Sequence, residues 1–211
     1  MMKRKLRFTL AVSLLSLYGS LVEAAEVQSH GFSFEQKVWN HLFERGYTDD
    51  WDIPGSANLQ NPGVPISVKF MEWKNSIYLG DALRQFAINQ RFEMVVGFYQ
   101  QVDGQKKVVA VHHIKFTPEQ WRQMWGEITA EELTAFSNRI KQGTIESAQD
   151  YARPHAAALR EKSGIFSINP KINKDQRRIQ CSIPFGVFYR EVVQQEPQMQ
   201  EKVMLWGRQL K

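Results

Sequence analysis

Cysteine is almost missing from this chain: Cys181 stands alone among 211 residues, so no intrachain disulfide staples the fold and packing has to hold it. Past the first 24 residues there is no apolar run of the roughly 20 residues that a membrane-spanning helix needs. Repeats and low-complexity tracts are also lacking, which excludes solenoids and unstructured arrays. There is no His-Glu-x-x-His helix, no Gly-x-Ser-x-Gly elbow and no phosphate-binding glycine loop, so zinc-hydrolase and serine-hydrolase readings lose their support. No cysteine-hydrolase signature surrounds Cys181, which reads as a buried structural thiol.

Excess charge is scarce too, once the amino terminus is set aside. Lys3, Arg4, Lys5 and Arg7 precede a run from Phe8 to Val22 that no acid interrupts, and Val22-Glu23-Ala24-Ala25 offers compact residues for cleavage after Ala24. This is the pattern of a secretory signal peptide over residues 1–24, too short and too rich in serine for a membrane anchor. The leader holds four of the 27 basic residues and one of the 22 acids, so the remainder carries 23 against 21, a balance of +2. Global charge alone therefore argues little for a polyanionic partner. Residues 25–211 are long enough for one domain with a proper core, expected to be exported to the periplasm or beyond, with no membrane attachment after cleavage.

What is present is a mixed α/β pattern. Phe34, Val38, Trp39, Leu42 and Phe43 recur at helical spacing between Ser33 and Arg45, with Gly46 as the stop. A short mixed segment, Tyr47 to Ile53, ends at Pro54-Gly55. Val64 to Met71 and Ser76 to Leu79 read as strands, and Gly80-Asp81 opens a helix. Glu93 to Gln100 and Lys106 to Phe116 read as two strands joined at Asp103-Gly104. Thr117-Pro118-Glu119-Gln120 and Thr129-Ala130-Glu131-Glu132 are cap-like helix starts, and a further helix is expected from Ile145 to Glu161. Strand character returns at Arg178 to Ile183 and Val187 to Tyr189, before a polar, helical C-terminal stretch.

Within this order stand Asp52, in Trp51-Asp52-Ile53-Pro54, and Lys69, in Ile66-Ser67-Val68-Lys69-Phe70. Strand alternation sets Ser67 and Lys69 on one face. Helix, three strands, helix, strands, with an acid followed by Ser-x-Lys, resembles the PD-(D/E)xK or restriction-endonuclease-like nucleases over residues 31–116. The resemblance implies a mixed central β-sheet flanked by helices, with a helical insertion and a C-terminal β/α extension over 117–211. It further implies an endonuclease that hydrolyses DNA phosphodiesters with Mg²⁺ or Mn²⁺, which the leader would make an exported one, and a homodimer as the form in which restriction enzymes commonly act. Asp52 would be the strand carboxylate and Lys69 the lysine beside the attacking water. The chain departs from the family pattern by lacking Pro-Asp at Asp52 and an acid at Ser67. Asp81, twelve residues after Lys69, is placed to be a relocated metal ligand, with Glu72 as its rival, and Glu35 resembles the supporting acid of the first helix.

Each residue also has a purely structural reading. Asp52 suits a turn, Asp81 and Glu35 suit the first turn of a helix, and Ser67 and Lys69 suit a solvent-facing row. His112 and His113, adjacent in a strand, point to opposite faces and cannot chelate one ion together. If the partner is DNA, Lys74, Arg84, Gln85, Arg91, Lys171, Lys174, Arg177 and Arg178 are the candidate contacts, the last four in a polar stretch with Asn169, Asn173 and Gln176. The competing reading is an exported nucleic-acid-binding or interaction protein on a degenerate nuclease-like scaffold, for which Ser67 is the best evidence.

Overall fold

The computed structural model describes residues 34, 38, 52, 53, 55–58 and 60–210. The expected signal peptide and Glu35 lie outside the described residues. Phe34 and Val38 are helical and fully buried, in keeping with the spacing expected of the first helix.

The fold is mixed α and β. Strand β1 (Ile66–Glu72) lies parallel to β3 (Phe92–Val102), which pairs antiparallel with β4 (Gln105–Phe116). Asp103 and Gly104 turn the β3–β4 hairpin with φ of 51° and 75°, both in the left-handed region, as the Asp-Gly pair predicts. Between β1 and β3 the chain forms β2 (Ile77–Asp81) and the short helix α1 (Ala82–Phe86). The parallel pairing requires this crossover, because parallel neighbours cannot be joined by a tight hairpin.

The expected helical insertion is three helices: α2 (Pro118–Gln123), α3 (Ala130–Ile140) and α4 (Ile145–Lys162). Thr117 and Thr129 each form the reciprocal capping box foreseen from their spacing. Leu133, Phe136 and Ile140 of α3 and Ala148, Ala152 and Ala156 of α4 bury one face of each helix in the main core.

The C-terminal region departs most from expectation. Strand β5 (Ser167–Ile172), which the sequence reading missed, pairs with β6 (Arg177–Ile183), and β6 pairs in turn with β2. The described residues therefore hold two three-stranded sheets, ordered β1-β3-β4 and β2-β6-β5, in place of one central sheet. The extension is structural completion for β2, whose backbone would otherwise lack partners. Val187 to Tyr189, expected as strand, is helical: α5 (Phe185–Val187) runs into a π-helix (Phe188–Val193). Tertiary packing overrides local β propensity there, because Phe185, Phe188 and Tyr189 gather around Phe98 and Trp73, edge-on except for the tilted Phe98–Tyr189 pair. The expected polar helix is instead an extended segment ending in a small hairpin, β7 (Met204–Leu205) and β8 (Arg208–Gln209). Trp206 and Gly207 form its turn with φ of 46° and 77°.

The first sheet separates two apolar cores. Met71, Met94, Val96 and Phe98 face the main core, whereas Ile66, Val68, Val95 and Val111 pack with Phe34, Val38, Val203, Leu205 and Leu210 on the other side. Phe34 lies so close over Gly97 that a Cβ there would come within 2.2 Å of its ring.

Candidate active site

The position of Asp52 follows from its neighbour. Ile53 is fully buried and forms an antiparallel bridge with Ile66, with N···O distances of 2.9 and 2.8 Å in the two directions. Burial of Ile53 holds Asp52 beside β1, on the side where Ser67 and Lys69 emerge. Three donors converge on the single oxygen Asp52 Oδ2: Ser67 Oγ at 3.1 Å, the Val68 backbone N–H at 2.5 Å and Lys69 Nζ at 3.0 Å. Lys69 Nζ also donates to the Val68 carbonyl at 3.0 Å. The Lys69 and Asp52 side chains are 18 % and 21 % exposed, so the pair is partly desolvated yet open to a ligand. Asp52 Oδ1 accepts no hydrogen bond from any described residue.

Helix α1 supplies the facing wall. Asp81 caps it, its Oδ1 accepting from the Arg84 backbone N–H at 3.0 Å. Gln85 is buried, and its Nε2 donates to the Leu79 carbonyl at 2.9 Å while its own carbonyl accepts from the Trp121 indole at 2.7 Å. Since Leu79 can only accept, the amide orientation is determined and Gln85 Oε1 remains available as an acceptor. The Arg84 guanidinium has no ion pair or hydrogen bond among the described residues. Asp52, Ser67, Lys69, Arg84, Gln85, Ile88 and Phe92 together line a cavity of about 300 Å³.

The structure therefore brings Asp52, Lys69, Arg84 and Gln85 together and leaves the other expected site residues that it describes outside this cavity. Asp81 is occupied as a helix cap, and the cavity wall does not include it. Glu72 and Lys74 line a separate depression with Trp73, Gln100, Gln101 and Met199. Lys171, Lys174 and Arg178 are exposed on the β5–β6 hairpin, while Arg177 Nη1 closes the end of α3 by donating to the Gly143 carbonyl at 2.8 Å. The adjacent histidines do point to opposite faces: His112 Nε2 lies 2.9 Å from Tyr189 Oη, and His113 Nε2 lies 2.8 Å from Glu93 Oε2. Burial pushes the Cys181 thiol well above its ordinary range, with the Asp81 charge adding to the effect, so this cysteine is an inert core group.

Sequence reasoning missed Glu93, a carboxylate only 1 % exposed. Its Oε1 accepts from Asn61 Nδ2 at 2.9 Å and its Oε2 meets His113, whose Nδ1 accepts from the Trp206 indole at 3.1 Å. A single acid in a run of Phe92, Met94, Val95 and Val96 was the available signal, because such an acid requires partners.

Among the described residues, no three His, Cys, Asp or Glu side chains come together as a metal cage. Mg²⁺ does not need one, since it commonly binds through one or two carboxylates together with substrate phosphate and water. An Asp52 oxygen that accepts from no described residue, beside a cavity carrying an ammonium and a guanidinium without a partner among the described residues, fits that mode. No protein-family model, curated protein or solved structure matches this chain.

Proposed function

We propose that the chain is an exported, divalent-metal-dependent DNA endonuclease whose active site is the cavity around Asp52 and Lys69. The observation that carries this reading is the convergence of Asp52, Ser67 and Lys69 with Arg84 and Gln85 on one cavity. The antiparallel bridge beside Asp52, followed by β1, the β2–α1 crossover and the parallel strand β3, supports the restriction-endonuclease-like core at the level of element order. In this reading Asp52 would hold Mg²⁺ or Mn²⁺, with Glu35, outside the described residues, as the supporting acid in place of the capping Asp81, and the ion would supply Lewis acidity at the phosphate.

The remaining chemistry belongs to the chain. Lys69 fixes the Asp52 carboxylate through Oδ2, leaving Oδ1 without a donor among the described residues, and its one remaining N–H is offered to the attacking water or to the charge that grows on phosphorus-bound oxygen. Arg84, with a planar fork and no protein partner among the described residues, is suited to two non-bridging phosphate oxygens. Lys74, Lys171, Lys174, Arg177 and Arg178 would serve as DNA-backbone contacts outside this cavity. A non-catalytic nucleic-acid-binding protein is the second reading, favoured by Ser67 where the family has an acid and by the use of Asp81 as a cap.

Supercoiled plasmid incubated with the purified chain and Mg²⁺ or Mn²⁺ should be nicked or linearised, and EDTA should stop the reaction. Asp52→Asn and Lys69→Met should each lower it by about 10²–10³-fold while leaving the circular dichroism spectrum unchanged. Cleavage that survives both substitutions would remove the site assignment. DNA binding without cleavage under any divalent ion would favour the second reading.

A further inference from the structure

A second cavity, of about 330 Å³, lies against β4 and is lined by His112, Tyr189, Gln195, Glu196, Gln198 and Gln200. It shares no residue with the cavity around Asp52. Lys69, Val96 and His112 occupy one row across the first sheet, so His112 stands two strand spacings, about 10 Å, from Lys69.

The cavity is held by backbone contacts at both ends of one segment. The Gln195 N–H donates to the Tyr189 carbonyl at 3.2 Å, and the Gln200 N–H donates to the Val109 carbonyl on β4 at 2.7 Å. Residues 195–200 thus arch over His112 between two fixed points. The start of the arch is Gln194, a non-glycine residue at φ 56°, directly after the π-helix. Left-handed backbone of this kind is costly and persists where the surroundings impose it, and single π-turns recur at functional sites. The π-helix also aims Tyr189 Oη at His112 Nε2, 2.9 Å away.

From these groups we infer that this cavity binds a neutral, hydroxyl-rich ligand, one or two saccharide units. Its wall contains no Lys or Arg, so no cationic side chain there balances the charge of a phosphate or carboxylate. Burial lowers His112 from its ordinary range and raises the Tyr189 phenol to about 12, so both are uncharged at neutral pH and Glu196 carries the only formal charge. Tyr189 is 2 % exposed and offers no ring face on which a nucleobase could stack. Three carboxamides and a carboxylate, beside the mutually bonded phenol and imidazole, supply both donors and acceptors. A sugar hydroxyl, which donates and accepts at once, is their complement. The volume falls at the lower end of the ~300–1,000 Å³ that small-molecule sites occupy. The site operates independently of the proposed nuclease cavity.

Saturation-transfer NMR on the full chain with glucose, galactose, N-acetylglucosamine, maltose and cellobiose tests this, with inorganic phosphate and putrescine as charged probes. At least one saccharide should receive saturation and shift the His112 imidazole signals. Gln198→Ala, at an exposed position, should weaken that binding about fivefold without moving the melting temperature, the weight of one neutral hydrogen bond. Tyr189→Phe should weaken it as well, and Asp52→Asn should leave it unchanged. No saturation transfer to any saccharide in the millimolar range would overturn the proposal. So would displacement of the His112 signals by phosphate or putrescine alone, or saccharide binding indifferent to Gln198→Ala.

Discussion

The two faces of the first sheet each present a carboxylate, and they use it in opposite ways. On the main-core side Asp52 is 21 % exposed, gathers its three donors on Oδ2 and keeps Oδ1 free of protein donors among the described residues. On the other side Glu93 is 1 % exposed and engages both oxygens, with Asn61 on one and His113 on the other. Both acids face cationic or donor side chains, so partner chemistry alone does not distinguish them. Access does: Asp52 opens on a cavity that Lys69 and Arg84 share, whereas Glu93 is sealed beneath the C-terminal hairpin through His113 and Trp206. An acid whose two oxygens are both engaged by the protein is a structural cross-link. One with an oxygen left over among the described residues, beside a guanidinium without an ion pair there, is equipped to meet a ligand.

The comparison is broken most directly by Glu93→Ala. This substitution should cost about 3–5 kcal/mol of stability, because it strands Asn61 and His113 in a buried network. Urea unfolding measures that loss, and plasmid cleavage per folded molecule should stay unchanged. A fall in cleavage without loss of stability would instead place Glu93 in the chemistry. Asp52→Asn should do the reverse, lowering cleavage by about 10²–10³-fold with a small change in the unfolding midpoint. Trp206→Phe retains the aromatic body and removes the indole donor to His113, so it should cost about 1 kcal/mol. That loss should disappear in a His113→Phe background.

The smallest effect expected is a pH dependence set by His112. Burial holds its folded-state pKa below the unfolded value of about 6.5, so the unfolded chain binds more protons as pH falls. Stability should be level above that value and decline below it, and His112→Gln should flatten the decline in urea midpoints measured between about pH 7.5 and 5.5.

Much of the local structure was legible because its causes are local. The Asp103-Gly104 turn, the capping boxes at Thr117 and Thr129, the strand through Ser67 and Lys69 and the opposed faces of His112 and His113 all follow from residue type and period. The candidate site was legible in part. Asp52 and Lys69 do meet, and Arg84 and Gln85 do join them, because each is one short step from a buried anchor: Ile53 for the acid, Val68 for the lysine and Ala82 for the helix.

Asp81 could be read either as ligand or as cap from the sequence, since an acid before Ala-Leu-Arg serves both. Its hydrogen bond to Arg84 N–H shows it acting as a cap. By itself the sequence determined the alternation of strands and helices and which residues share a face. Only the tertiary structure decided that β6 completes β2, that the aromatic run at Phe185 to Tyr189 is helical, and that Glu93 lies sealed while Asp52 lies open. Strand partners, burial depth and the remaining hydrogen-bond capacity of a carboxylate depend on residues far away in the chain, and no local pattern encodes them.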